Sequence, residues 1–356
     1  MNYILFIIFN FVILILFHKS KIPRFLFLVL LVSLAYSYVD LADYEGYSQM
    51  FDASKGDDSG QYFLESTEIG FRFLVFIGNY FNLKFEIFKS LVYLFCGILI
   101  VRALVRIDSK SANFVLSLYI FYPLILDLVQ IRHFIAMSIF VSAFSYFLVA
   151  LRNSEVKWKN FLYFLPALLF HQTFALLIII VFISYVLIDY LDINKLFNKN
   201  VLFFILAYLV TSSYIVFSKI SSSIYFSTST SFSTVFFYSI IYLIFYLLFY
   251  FVGKRIKYLQ NYNHREYSFM FIYTTILIGS NLPLMFFNVE FFRFFRVELI
   301  IILSVLISVL LEKKKFINNF FFIVLIFIIH VALAILIFFI YYFDNLIFPL
   351  LLMGYY

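Results

Sequence analysis

The chain has 356 residues, 65% of them apolar and 13% charged, with a formal charge of +7. Soluble globular domains are about half apolar and about a quarter charged, so this composition excludes that class. Apolar runs near the length that crosses a ~30 Å hydrocarbon layer recur from end to end, which predicts an all-α, polytopic integral membrane protein of about 11–13 transmembrane helices. Residues 1–356 read as a single transmembrane domain, with an outer loop and amphipathic segment at 40–84 and an outer Ser/Thr-rich loop at 218–233.

The first apolar run, 2–17, is followed by His18, Lys19, Lys21 and Arg24. A cleaved signal peptide carries its positive charge ahead of the apolar stretch, so this order predicts an uncleaved first span with the N-terminus outside. Further spans are expected at 24–39, 85–101, 112–129, 133–151, 160–171, 172–188, 201–217, 232–252, 268–287, 297–311 and 317–341. The 160–171 run is too short to cross alone; either loop residues complete it, or it is half of a broken helix, which a membrane protein tolerates where it lines protein or a cavity.

Charge orients these spans. Loops 18–24, 102–110, 152–159, 189–200, 253–266 and 312–315 hold 18 of the 26 Lys and Arg and 6 of the 19 Asp and Glu, net +12. The remainder carries net −5, an asymmetry that places the first set on the cytoplasmic side. The basic balance therefore reflects orientation, and no nucleic-acid partner is implied. The one cysteine, Cys96, lies in an apolar run and has no internal disulfide partner, and no Cys or His spacing points to a metal; no cofactor is expected.

Several polar groups stand apart from this pattern, all on the predicted outer side. Asp40, Asp43, Tyr44 and Tyr47 follow the second span at i, i+3, i+4 and i+7, so a continuing helix presents them on one face. Carboxylates and phenols together suit hydroxyl-rich ligands such as sugars, although a solvated helix end with interfacial tyrosines has the same pattern. Glu65, Glu68 and Arg72 share a second helical face, where a Glu68–Arg72 pair within the helix is the plainer reading, and Gly70 offers close approach to a neighbour. Residues 69–81 read as an amphipathic or re-entrant helix on the outer surface.

Gln130-Ile131-Arg132-His133 joins two spans with almost no loop, leaving Arg132 on the side where basic residues are scarce. His133 points about 100° away from it on a helix. His171 falls at the outer break between two apolar segments, where an imidazole suits a general base or a phosphate contact. Arg293 and Arg296 are three apart and so share one face, an arrangement matched to bidentate capture of phosphate oxygens, although Glu290 and Glu298 offer them partners as well.

The ordered set Asp40–Asp43-Tyr44–Tyr47, Glu65/Glu68-Ile69-Gly70-Phe71, Ile131-Arg132-His133-Phe134-Ile135-Ala136 and Phe170-His171-Gln172-Thr173 resembles the EpsG family of Wzy-like polysaccharide polymerases. Arg293 and Arg296 match more loosely, and His133 stands where the family pattern leads one to expect Gln. The resemblance implies a polymerase of exopolysaccharide or capsule repeat units in the bacterial cytoplasmic membrane, with a helical fold like that of other lipid-carrier glycosyltransferases. Such an enzyme transfers a glycan from a polyprenyl-diphosphate carrier to a lipid-linked oligosaccharide repeat unit on the outer leaflet. It works among membrane lipids, beside the flippase and chain-length regulator of its pathway. On this reading Arg132, Arg293 and Arg296 hold the diphosphate. His171, Asp40 or Asp43 deprotonates the acceptor, and Glu65, Glu68, Arg72, Tyr44 and Tyr47 contact substrate. A flippase or transporter of the same lipid-linked unit is the alternative; it needs a water-filled path with polar groups near the membrane midplane, and Asp127 and Lys89, the main polar residues deeper in spans, are too few for a clear path. An outer-face ligase or O-acetyltransferase shares the layout.

Overall fold

A computed structural model describes residues 3–16, 20–37, 43–56, 68–190, 239–244, 246–248, 250, 264–285, 292–311, 323–330 and 332. Asp40, Glu65, the expected span 201–217 and the Ser/Thr-rich loop 218–233 lie outside these, as do parts of the spans expected at 232–252 and 317–341. The described residues form helices and no strands. The chain divides into two compact units, one of residues 1–149, 158–174 and 303–356, the other of residues 150–157 and 175–302.

The first unit opens with α1 (Tyr3–Leu16) and α2 (Ile22–Ser37). Pro23 stands near the start of α2, where its missing N–H costs no intrahelical bond. Phe27, Leu30, Leu31, Leu34 and Ala35 recur at the helical period and are buried against α5 (Phe85–Ile107). The contact is close because Gly97 of α5 has no side chain: a Cβ there would stand 2.6 Å from Leu31 Cδ2. At ~1.5 Å per residue, α5 is long enough to cross a bilayer, and so is α8 (Ile131–Arg152); these are the two described helices that are both long and apolar enough.

Between α2 and α5 lie α3 (Tyr44–Ala53) and α4 (Ile69–Tyr80), the latter the expected amphipathic segment. Phe51 of α3 is fully buried, its ring 5.0 Å from Phe88 and 5.6 Å from Phe85 of α5. Gly78 lets α4 close on the same rings, since a Cβ would meet Phe88 at 2.7 Å and Phe51 at 2.9 Å. The turn from α4 to α5 passes through Asn82 at φ 52, a left-handed position that Asn tolerates better than most residues.

One expected span is corrected. The run 112–129 is two helices, α6 (Ala112–Phe121) and α7 (Leu124–Val129), parted at a cis Tyr122–Pro123 bond. Proline lacks the N–H that would continue the helix, and apolar content alone hides the break. After α8, the run 160–171 holds two short helices, α9 (Trp158–Leu162) and α10 (Leu165–Leu168), before α11 (Phe174–Tyr190) begins.

The second unit contains most of α11, α12 (His264–Met285) and the first half of α13 (Phe292–Leu311). Within it Arg152 grips the buried carboxylate of Glu266 through two parallel bonds of 2.8 and 3.0 Å.

Candidate functional site

In the first unit, α7 ends at Val129 and α8 begins at Ile131, so Arg132 stands in the first turn of a long, anchored helix. Its guanidinium leans over Tyr47 of α3, with Cζ 5.4 Å from the ring centroid, and Nε donates to the phenol oxygen at 3.3 Å. One terminal nitrogen, Nη1, pairs with Glu68 Oε2. Glu68 immediately precedes α4, where a carboxylate is favoured by the positive end of the helix dipole. Its side chain makes no capping bond and reaches outward; the other oxygen, Oε1, meets His171 Nδ1 at 3.1 Å.

His171 is placed by a tight turn after α10: its N–H donates to the Ala167 carbonyl at 3.1 Å, and Phe174 N–H donates to the His171 carbonyl at 3.2 Å. The turn is clipped to α4 by Gly70 N–H, which donates to the Leu169 carbonyl at 2.8 Å. A Cβ at Gly70 would lie 2.9 Å from both Leu169 Cβ and that carbonyl oxygen, so only glycine lets the two backbones meet. That contact brings Glu68, two residues before Gly70, to His171, two residues after Leu169. His133 lies buried behind, its ring edge-on to His171 at 5.5 Å.

The site thus sets one carboxylate between a guanidinium and an imidazole, with a phenol under the guanidinium. Burial by itself would raise the Glu68 carboxyl; the His171 bond and the Arg132 charge outweigh it and hold the group below its ordinary value. Burial dominates at Tyr47 and raises its phenol despite Arg132, so it stays protonated. Glu68 is 13% exposed and Arg132 36%, so the guanidinium keeps an open edge. Among the described residues, Arg132 Nη2 and His171 Nε2 make no hydrogen bond. No group of three or more His, Cys, Asp or Glu with the geometry to hold a metal occurs among them either.

Other expected residues stand differently. Tyr44 donates to Glu86 Oε1 at 2.6 Å and lies beside the cluster, while Asp43 is exposed at the start of α3. Arg72 is half-buried on α4, and the Glu68 carboxylate is shared by Arg132 and His171, a correction to the pairing within one helix. Arg293 and Arg296 lie in the second unit on α13, three residues apart as expected, and Arg296 is buried. Sequence reasoning passed over Glu86 and gave Lys89 no role beyond its depth in a span. Lys89 is buried, its Nζ 4.7 Å from the Tyr44 ring centroid. The one available signal was a lysine set deep in an apolar run.

Helices throughout the described residues, two of them long and apolar enough to cross a bilayer, and a half-buried charged cluster at helix ends fit the class of membrane proteins. The chain matches the model of the EpsG family over residues 20–352, and it belongs to that family, a Wzy-like polymerase family. No curated protein and no solved structure matches it.

Proposed function

We propose that this protein is a repeat-unit polymerase that transfers a glycan from a polyprenyl-diphosphate carrier to a second lipid-linked oligosaccharide on the outer face of the cytoplasmic membrane. The observation that carries the reading is the Tyr47–Arg132–Glu68–His171 chain, which fixes a guanidinium and an imidazole on opposite oxygens of one carboxylate. Glu68 accepting from Nδ1–H leaves Nε2 as the basic nitrogen, the tautomer a general base requires.

In the reaction, His171 Nε2 takes the proton of the acceptor hydroxyl. The acceptor oxygen bonds to the donor's anomeric carbon as that carbon's bond to phosphate breaks, and the electron pair leaves with the diphosphate. Arg132 meets the charge that develops there; preplaced donors of this kind contribute about 2.7–4 kcal/mol to a transition state. Asp43 and Tyr44, at the border of the cluster, are suited to sugar hydroxyls, with Asp40, Glu65 and Arg72 as further contacts. Arg293 and Arg296 supply a second basic pair suited to phosphate. The family membership supports a polymerase in exopolysaccharide synthesis. The clustering of Arg132, Glu68 and His171 at helix ends favours a one-sided enzyme over a transporter with a path through the midplane.

The test is complementation of a strain lacking the gene with wild type or Arg132→Ala, each checked for membrane abundance, with lipid-linked glycans sized on a gel. Single repeat units on the outer leaflet are expected with Arg132→Ala. Units trapped on the inner leaflet in the deletion strain mean a flippase, and long chains formed without the protein mean a ligase or modifying enzyme.

A further inference from the structure

Gln130 is where one helix stops and the next begins. It stands at φ −110 and ψ 72, outside the helical region, between α7 and α8. In a continuous helix the Leu128 carbonyl would accept from the N–H of Arg132, four residues on, and the turn at Gln130 breaks that register. Leu128 is buried, and a buried carbonyl needs a donor. The donor comes from another helix. Tyr93 of α5 gives its phenol hydrogen to the Leu128 carbonyl at 2.8 Å, with the Asp127 carbonyl 3.2 Å from the same oxygen.

The ring of Tyr93 is placed as closely as its oxygen. It is fully buried and stacks on Phe134, with the centroids 4.8 Å apart and the planes 22° from parallel. Phe134 lies in the first turn of α8, where its N–H donates to the Gln130 carbonyl at 2.9 Å. It follows Arg132 by two residues, so it stands about 200° around the helix from it. Tyr93 therefore holds both sides of the break: its oxygen meets the end of α7, and its ring meets the back of the turn that carries Arg132. Tyr119 of α6 adds a second hold on α7 through the Asp127 carboxylate, at 2.9 Å.

We propose that Tyr93 is a positioning residue for the transfer reaction: by joining the end of α7 to the start of α8, it sets the place from which Arg132 meets the departing diphosphate. The inference rests on the role given to Arg132 above. A guanidinium that stabilises developing charge must already be in place when the charge forms. A displacement of about 1 Å at a reacting centre costs on the order of a hundredfold in rate. Without the phenol, the Leu128 carbonyl must turn toward another donor, and the residues that turn with it are Val129, Gln130, Ile131 and Arg132. The loss of one oxygen on α5 thus reaches the chemistry through Arg132.

The experiment uses full-length protein in reconstituted vesicles, with radiolabelled lipid-linked repeat units extracted from a strain lacking the gene as substrate. Tyr93→Phe keeps the stacked ring and removes the oxygen; kcat is expected to fall about ten- to a hundredfold with KM within about twofold of wild type. In an Arg132→Ala background the same substitution is expected to cost nothing further, because the group it positions is gone. Phe134→Leu leaves the phenol and takes away the ring it stacks on; a smaller fall in kcat at constant KM is expected, and it carries the test if Tyr93→Phe fails to fold. Phe144→Leu loosens the same helix three turns away and is expected to lower the melting temperature while leaving kcat near wild type. Equal losses from Tyr93→Phe with and without Arg132, or a loss from Phe144→Leu as large as that from Tyr93→Phe, overturn the inference, since Tyr93 then acts on the fold. Unchanged kcat in Tyr93→Phe overturns it as well. Arg132→Ala that matches wild type, or wild type that does not lengthen the units, overturns the reading of Arg132 itself.

Discussion

Arg132→Lys separates charge from shape. Lysine keeps the positive charge but lacks the planar fork that meets Tyr47 and Glu68 together while leaving one nitrogen open. Turnover is expected to fall about 10²–10³-fold, nearly as far as with alanine, in initial-rate measurements on reconstituted vesicles. Tyr47→Phe removes only the phenol oxygen and is expected to lower stability by about 0.5–1.5 kcal/mol, readable from thermal unfolding. Glu68 makes the site sensitive to acid. Its folded carboxyl lies below the ordinary value, so its contribution to stability is present above the ordinary carboxylate range and is lost as pH falls through the depressed value. Melting temperature followed against pH should drop on the acid side for wild type and flatten there for Glu68→Gln; equal slopes would count against the pairing.

At the scale of elements, the active geometry depends on two backbones meeting without a side chain between them. Gly70→Ala forces a Cβ to 2.9 Å from Leu169 and is expected to destabilise by about 1–3 kcal/mol and cut turnover by shifting His171 away from Glu68. Gly46→Ala, on α3 with nothing within 4 Å, is the control: helix propensity alone predicts a gain of about 0.5–1 kcal/mol. These elements were unequally legible in the sequence. The starts of α4 and α8 follow from apolar run length and from the lack of a loop around Gln130. The break at Pro123 did not, because the run on both sides is continuously apolar. Local spacing gave Glu68 a partner four residues on, whereas its carboxylate serves residues 64 and 103 positions away. Periodicity places side chains on a face of their own helix and carries no information about which other helix that face meets.

At the scale of the whole molecule, the charge asymmetry of the loops predicts which way each helix runs. Cys96 is fully buried, so the chain offers a nearly silent background for thiol labelling. Exposed Lys84 and Lys110 flank α5. In intact cells a membrane-impermeant maleimide is expected to label Lys84→Cys and to reach Lys110→Cys only after permeabilisation; the opposite pattern would put the Arg132 cluster on the cytoplasmic face. The basic loop residues do more than orient. Arg24 bonds Asn113 Oδ1 and the Ser109 carbonyl at 2.8 and 2.9 Å, and Arg106 stacks 3.4 Å over Tyr146, so residues read from the sequence only as signals of orientation also join helix ends.

The carboxylate of Glu68 has a consequence for the order of events. A guanidinium and an imidazole N–H compete for it, so each is weakened by the other's presence. On the proposed mechanism, a donor phosphate that pulls Arg132 toward itself leaves the Glu68 carboxylate to His171 alone, which fixes the tautomer and orientation of the ring. On that mechanism donor arrival readies the base, and the acceptor is activated only when a glycosyl–phosphate bond is in place to be broken. Kinetics should be ordered, with the donor binding first, and Glu68→Gln should make the order random by removing the group through which one substrate announces itself to the other.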